Sequence, residues 1–259
     1  MLSAILLVLL TVFGLAIGSF MTVVAARVPA GESVVRPRSK CPGCGAEIRN
    51  RDNIPVVGWL LLRGRCRDCG ARIPVRYLLL EVSTAAVIVG AFLVYDDLLI
   101  AGAVAALLAL MPVISVIDLE HRIIPNKIVY PALVAFPVYL VAAKLAGAPV
   151  DLERMVIGFL AYGGGLFVIA LISRGMGMGD VKLAALIGIV LGALGLGQVA
   201  VAAGAAIVLG GVGAIVALAR GVGRRGAMPF GPFLAAGAIV AAFWGPQIAD
   251  WYSRTLLHV

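Results

Sequence analysis

Apolar stretches about as long as a bilayer is thick recur along this chain, and they leave few folds open to it. Leu2 to Ala26 carries no charged residue. Seven further apolar runs follow, at about Tyr77–Tyr95, Leu98–Ile117, Ile128–Leu145, Met155–Ile172, Val181–Leu196, Val199–Ala219 and Phe230–Ile248. A helix needs about 20 apolar residues to cross a ~30 Å hydrocarbon core, so most of these runs suffice and Val181–Leu196 is short. They are continuously apolar rather than alternating, which argues for helices whose backbone polar groups are satisfied internally. With hydrophobic residues at 62% and a mean hydropathy of +1.09, an ordinary soluble domain is excluded. A formal charge of +8 would suggest a nucleic-acid partner in a soluble chain. In a membrane protein the distribution of that charge matters more, and no nucleic-acid partner is expected. Leu2–Ala26 lacks a basic leader and a clear cleavage site, so it reads as a retained first helix rather than a signal peptide. Gly18 and Ser19 within it would let a neighbouring helix approach closely.

One long hydrophilic stretch, Arg27–Arg76, interrupts the apolar pattern and holds all four cysteines. They stand as Cys41-Pro42-Gly43-Cys44 and Cys66-Arg67-Asp68-Cys69, with 21 residues between the pairs. This is close to zinc-ribbon spacing, in which two knuckle turns offer four thiolates to one tetrahedral ion. Two disulfides are the competing reading, and the compartment decides between them. If Arg27–Arg76 is cytoplasmic and eight helices cross, then 18 of the 21 Lys and Arg fall on the cytoplasmic side, and only Lys144, Arg154 and Arg254 outside. The positive-inside rule therefore favours this orientation, a reducing environment for the thiols, and a structural Zn²⁺ on Cys41, Cys44, Cys66 and Cys69. The expected fold class is an all-α polytopic membrane protein of about eight transmembrane helices, with a small cytoplasmic zinc-ribbon-like domain between helices 1 and 2. The corresponding divisions are 1–26 for the first helix, 27–76 for the tetra-cysteine domain and 77–259 for a seven-helix membrane domain.

Acidic residues number only 13, and an acid beside a membrane span is a functional hypothesis by default. Asp180 lies in the glycine-rich stretch Gly175-Met176-Gly177-Met178-Gly179-Asp180-Val181-Lys182. Alone it reads equally well as a polar interhelical turn. A second acid in a matching position, Asp118 after the apolar run Ile100–Ile117, favours a pair. Two carboxylates at one membrane face can form an aspartic-protease dyad. Gly175, Gly177 and Gly179 are expected to allow positive φ and close approach of an extended substrate beside Asp180. Lys182 is expected to snorkel to the interface rather than tune the dyad. His121 reads as exposed, and Gly188 with Gly192 as a small-xxx-small packing pair.

These motifs, taken jointly, resemble the bacterial type IV prepilin peptidases, aspartic proteases of the inner membrane with a G-x-G-D signature. The likeness covers nearly the whole chain. It begins with Gly18-Ser19-Phe20 and Arg27-Val28-Pro29, and runs through the cysteine pairs, Asp52-Asn53-Ile54-Pro55, Arg63-Gly64-Arg65, Arg76-Tyr77 and Glu81. It continues in Ile117-Asp118-Leu119, Ile124-Pro125-Asn126, Gly177-Met178-Gly179-Asp180 with Lys182, and Met228-Pro229-Phe230-Gly231-Pro232-Phe233. Thr22, Gly58, Pro74 and Leu78 depart from the family pattern, and none of them touches either Asp. The resemblance implies catalysis by Asp118 and Asp180, with Gly177, Gly179 and Lys182 in the active-site turn. It implies removal of the short basic leader of type IV prepilins or pseudopilins, followed by N-methylation of the new N-terminus with S-adenosylmethionine. The methyl-transfer site is expected in Arg27–Arg76, the one polar surface large enough for that donor, set over the cytoplasmic mouth of the dyad. Two other classes remain as alternatives: a transporter using Asp118 and Asp180 as ion-coupling carboxylates, and a membrane-tethered zinc ribbon that binds nucleic acid or a partner.

Overall fold

In a computed structural model of the chain, residues 4–173, 176–220 and 228–256 are described. Gly175 and the basic Arg174, Arg224 and Arg225 counted above lie outside them. The described residues form an all-helical fold without named strands. Two compact units divide it, Met1–Val89 and Gly90–Val259.

The first unit contains α1 (Ala4–Arg27), a short α2 (Val57–Leu61) and most of α3 (Val75–Val94). α1 and α3 cross at two glycines. A Cβ on Gly14 would stand 2.7 Å from Ala85 Cα, and one on Gly18 would stand 2.6 Å from Glu81 Cα. Gly18 thus admits a neighbouring helix as its sequence context suggests.

The second unit holds α4 (Leu98–His121), α5 (Asn126–Leu145), α6 (Leu152–Gly158), α7 (Gly165–Ser173), α8 (Met178–Gly192), α9 (Leu196–Ala219) and α10 (Gly231–Leu256). A π-helical segment, Phe159–Gly164, joins α6 to α7 into one continuous span, Leu152–Ser173. Its i→i+5 register changes the hydrogen-bond spacing in mid-span, and hydropathy carries no sign of that change. Asp97 and Asp151 begin α4 and α6 as N-caps: the first accepts the N–H groups of Leu99 and Ile100, the second that of Arg154. Capping of this kind satisfies donors that a helix start leaves orphaned.

Seven of the described helices are long and apolar enough to cross a membrane. The eighth expected span is α8, with 15 residues. At 1.5 Å per residue it is about 22 Å long, short of a ~30 Å core. It tolerates this length because protein rather than lipid surrounds it. Every residue from Leu183 to Gly192 is buried, and α8 packs on α4, α5, α6, the π segment, α7, α9 and α10. Leu107, Leu108, Met111, Ile114 and Ile117 of α4 face the same core as Leu183, Leu186, Ile187 and Leu191 of α8. Ala193, just past α8, accepts the N–H of Asp151 at 3.0 Å, which sets the end of α8 level with the start of α6.

Small residues set how closely α6 and α8 meet. A Cβ on Gly188 would lie 2.3 Å from Gly158 O, and one on Gly192 would lie 2.6 Å from Arg154 O. Both distances fall on backbone that cannot swing aside, so this crossing exists only with glycine. Gly188→Ala should therefore destabilise the protein by about 1–3 kcal/mol. Gly204→Ala on α9, where a Cβ meets nothing within 4 Å, should be neutral or gain ~0.5–1 kcal/mol. Unfolding midpoints in detergent micelles distinguish the two. Equal midpoints for both variants would contradict the glycine-set crossing.

Candidate active site and metal centre

Asp118 sits one turn from the end of α4, which closes on Arg122 in the left-handed region with its N–H on Asp118 O. The carboxylate is 4% exposed. A negative charge at a helix C-terminus meets the unfavourable end of its own dipole, so another element must answer it. That element is the start of α10. The N–H of Gly231, the first residue of α10, donates to Asp118 Oδ2 at 2.8 Å. It is one of the donors that every helix start leaves orphaned. Glycine is required there, since a Cβ would stand 2.7 Å from the same oxygen.

The flanking phenylalanines hold Gly231 in place. Phe230 and Phe233 pack with ring centroids 6.1 Å apart. A Cβ on Gly210 would come within 2.8 Å of the Phe230 ring, and one on Gly213 within 2.5 Å of the Phe233 ring. Two bare positions on α9 thus receive two rings, and the backbone between them aims its N–H at Asp118. Sequence reasoning missed this donor, because a backbone N–H has no side-chain signature. The available signal was Gly231-Pro232 opening an apolar run, a glycine and a proline where a helix start loses nothing by having them.

Asp180 occupies the first turn of α8, with Gly177 as N-cap. Its N–H donates to Gly177 O at 3.1 Å, and its carboxylate turns back onto the Gly177 N–H. This is half of a capping box, with an acid at the favourable end of the helix dipole. Asp118, near the end of α4, and Asp180, in the first turn of α8, lie on helices that pack together. The contact that brings them together is Gly179 against Ile124 in the turn after α4, where a Cβ on Gly179 would stand 2.9 Å from Ile124 Cβ.

Two expectations change. Gly177 has φ −73° and ψ 140°, and Gly179 lies inside α8, so neither needs the left-handed region. Gly179 provides space rather than an unusual dihedral, and Gly175 is outside the described residues. Lys182 does not extend freely toward the interface. Its Nζ donates to Asn126 Oδ1 at 2.9 Å and lies 4.6 Å above the Tyr130 ring centroid. It clamps the first turn of α8 to the first turn of α5. His121 is the exposed last residue of α4, as expected.

The four cysteines converge in the first unit, with their Sγ atoms all within 4.8 Å of one another. Four thiolates at about 2.3 Å from a tetrahedral ion have S···S edges of about 3.8 Å. The Cys41–Cys69 separation is 3.8 Å, and none of the four is in a disulfide. Both knuckles have the same construction. Gly45 and Gly70, at φ 74° and 71°, donate to Cys41 O and Cys66 O, while Cys41 and Cys66 donate to Ala46 O and Ala71 O. Backbone N–H groups of Gly43 and Cys44 bring the Cys41 thiol down to about 7, while Cys69, despite the Ala71 N–H, is pushed up to about 12 by the Cys44 thiol, burial and the Cys66 and Cys41 thiols. The cluster fits a metal ion.

Two family models cover most of this arrangement. The bacterial peptidase A24 N-terminal domain matches residues 12–95, which include the cysteines. The type IV leader peptidase family matches residues 105–218, which include both aspartates. A prepilin leader peptidase/N-methyltransferase of Bacillus subtilis is 32% identical over 96% of this chain and 98% of its own length. The chain belongs to the type IV leader peptidase family. A type 4 prepilin-like proteins leader peptide-processing enzyme of Escherichia coli is 38% identical over 91% of this chain and 93% of its own. A prepilin leader peptidase/N-methyltransferase of Dichelobacter nodosus is 34% identical, covering 93% and 92%. No solved structure matches the chain. Gly231, the donor to Asp118, lies beyond both matched segments of this leader peptidase.

The cysteine geometry makes a direct prediction. The intact protein in detergent should bind one divalent ion per chain, and cobalt(II) in that place should show the visible bands of tetrahedral thiolate ligation. Cys44→Ala should abolish those bands. A six-coordinate cobalt spectrum, or uptake unchanged in Cys44→Ala, would contradict the four-thiolate site.

Proposed function

We propose that this chain is a membrane aspartic endopeptidase that removes the short basic leader of type IV prepilins or pseudopilins and then N-methylates the new N-terminal residue. One observation carries the reading: Asp118 near the end of α4 and Asp180 in the first turn of α8 are carboxylates on two helices that pack together, in a chain whose relatives are named as prepilin leader peptidases.

Asp118 and Asp180 are the catalytic pair in this reading. A water between them loses a proton to the ionised carboxylate as its oxygen attacks the scissile carbonyl carbon. The protonated carboxylate donates a hydrogen bond to the developing oxyanion. Collapse breaks the C–N bond, and a proton from the pair passes to the leaving amine. The pair titrates as a unit, so the roles belong to the dyad. The Gly231 N–H occupies Asp118 Oδ2 and orients that carboxyl group, while Gly177 orients Asp180. Gly179 and Lys182 hold the first turn of α8 against the turn after α4 and against α5.

The reading places the protein in the bacterial inner membrane, with Asp118, Asp180 and the cysteine domain on the cytoplasmic side. The charge asymmetry of 18 basic residues to 3 supports this orientation. A substrate helix would lie in the bilayer while its basic leader stays in the cytoplasm. The ion on Cys41, Cys44, Cys66 and Cys69 is Zn²⁺ in a structural role, because four thiolates leave no position for water. S-adenosylmethionine, when bound, supplies an electrophilic methyl group to the new N-terminal amine. Ion-coupled transport finds less support, since it calls for carboxylates at mid-bilayer and both lie in terminal helical turns.

Asp118→Asn and Asp180→Asn should each lower leader cleavage by about 100-fold or more in membranes supplied with a prepilin. Asp151→Asn should cleave normally, because Asn also caps a helix. Near wild-type cleavage by either of the first two variants would remove that residue from the dyad.

A further inference from the structure

Four apolar side chains stand exposed along one short stretch of the first unit: Ile54, Val57, Leu60 and Leu61, at 48%, 45%, 55% and 73%. Val57, Leu60 and Leu61 share one face of α2 by their i, i+3, i+4 spacing. Protein closes the other side. A Cβ on Gly58 would collide with Asp52 O, and one on Gly64 would stand 2.8 Å from the Trp59 ring. No charged residue occurs between Asp52 and Arg63, and the exposed Arg51, Arg63 and Arg65 bracket that run. Asp52, the acid beside them, is already paired with Arg67.

Hydrogen bonds tie α2 to the spans at a defined depth. Trp59 Nε1 donates to Ile73 O at 3.3 Å, and the Ile73 N–H donates to Gly64 O at 2.8 Å, just before α3 begins at Val75. Val56, which precedes α2, donates its N–H to Glu81 Oε2 at 2.7 Å. Glu81 lies two turns into α3, about 9 Å along its axis at 1.5 Å per residue. It also meets Gly18, well inside the end of α1 at Arg27. With 20 residues, α3 is only as long as a ~30 Å hydrocarbon core requires. It has no spare turn to hold Glu81 out of the bilayer. Val56 keeps its bond at φ 61° and ψ −52°, a conformation rare for a β-branched residue. The strained turn and the bond together pin α2 beside the first two turns of α3.

We infer that α2 and the Ile54 turn before it form an interfacial membrane anchor. Ile54, Val57, Leu60 and Leu61 enter the acyl chains of the leaflet at the Arg27 end of α1. Arg51, Arg63 and Arg65 meet the anionic phospholipid headgroups of the same leaflet. On a cap standing in water such a patch would lack a partner. Beside the first turns of a span it lies where lipid already is, and its bracketing charges have the sign that anionic headgroups attract. Trp59 fits the same level, with its indole N–H satisfied by Ile73 O and its ring against Gly64, an amphipathic side chain suited to an interface. The anchor restrains the cysteine domain through the Asp52–Arg67 pair, which joins the turn before α2 to the second knuckle. It acts independently of the two catalytic aspartates.

The experiment uses the full-length protein in nanodiscs of phosphatidylethanolamine and phosphatidylglycerol. The photoreactive variant Leu61→p-benzoylphenylalanine is irradiated, and its adducts are read by mass. The expected adduct is phospholipid. An adduct to a second copy of the chain or to the scaffold protein, or no adduct, overturns the anchor. A second measurement follows trypsin cleavage after Arg63 and Arg65. Leu60→Ser combined with Leu61→Ser should speed that cleavage about 10-fold or more, because two inserted side chains are lost. Replacing phosphatidylglycerol by phosphatidylcholine should speed it about 5-fold in wild type. Metal content equal to wild type reports that the cysteine domain of each variant is folded. Unchanged cleavage in the double variant overturns the insertion, and equal cleavage on the two lipids overturns the headgroup contacts.

Discussion

A carboxylate in an apolar helix bundle persists only where backbone N–H groups or water meet its charge. The membrane helices of this protein are arranged around that requirement. Asp118 stands near the C-terminus of its own helix, the wrong end for a negative charge, and the start of α10 supplies the compensating N–H through Gly231. Asp180 stands at the right end of α8 and turns back onto its N-cap. The rest of the second unit follows from holding these helix ends together. Gly210 and Gly213 seat the two phenylalanines that aim Gly231. Gly179 receives Ile124, and the Gly158–Gly188 crossing brings α6 onto a helix too short to span alone.

Glycine in this chain therefore serves distance more than dihedral freedom. Positive φ is used in turns, at Gly45 and Gly70 in the two knuckles and at Gly147 after α5. In the membrane helices the missing Cβ is what counts. That distinction explains why the sequence was read correctly at some positions and not at others. Continuous apolar runs announce helices, and two C-x-x-C pairs announce a four-thiolate cluster, because each signal resides in residue type and spacing. The convergence of Asp118 on Gly231, 113 residues apart, resides in neither. The π segment at Phe159–Gly164 is a change of hydrogen-bond register inside a uniformly apolar run, and Lys182 found Asn126 and Tyr130 through tertiary packing alone. The glycine turn before Asp180 was legible as important, but for its φ angles rather than for the space at Gly179.

The first unit follows a different logic. It has little apolar core of its own between α1 and α3, and small domains of this kind rely on metal ions and ion pairs. Its two knuckles repeat one hydrogen-bond pattern, and Arg67 ties the second knuckle to the turn at Asp52. The Arg67 guanidinium holds the Asp52 carboxyl below the usual carboxylate range, so this tie is present at neutral pH and weakens only as pH falls through that lowered value.

The central claim is that Asp118 and Asp180 act on one peptide bond. An experimental structure of the Asp180→Asn enzyme holding an uncleaved prepilin tests it most directly. The account predicts the scissile bond between residues 118 and 180, with a water on Asp118 about 3–3.5 Å from the carbonyl carbon, the near-attack distance. A scissile bond bound out of hydrogen-bond reach of both side chains would contradict it.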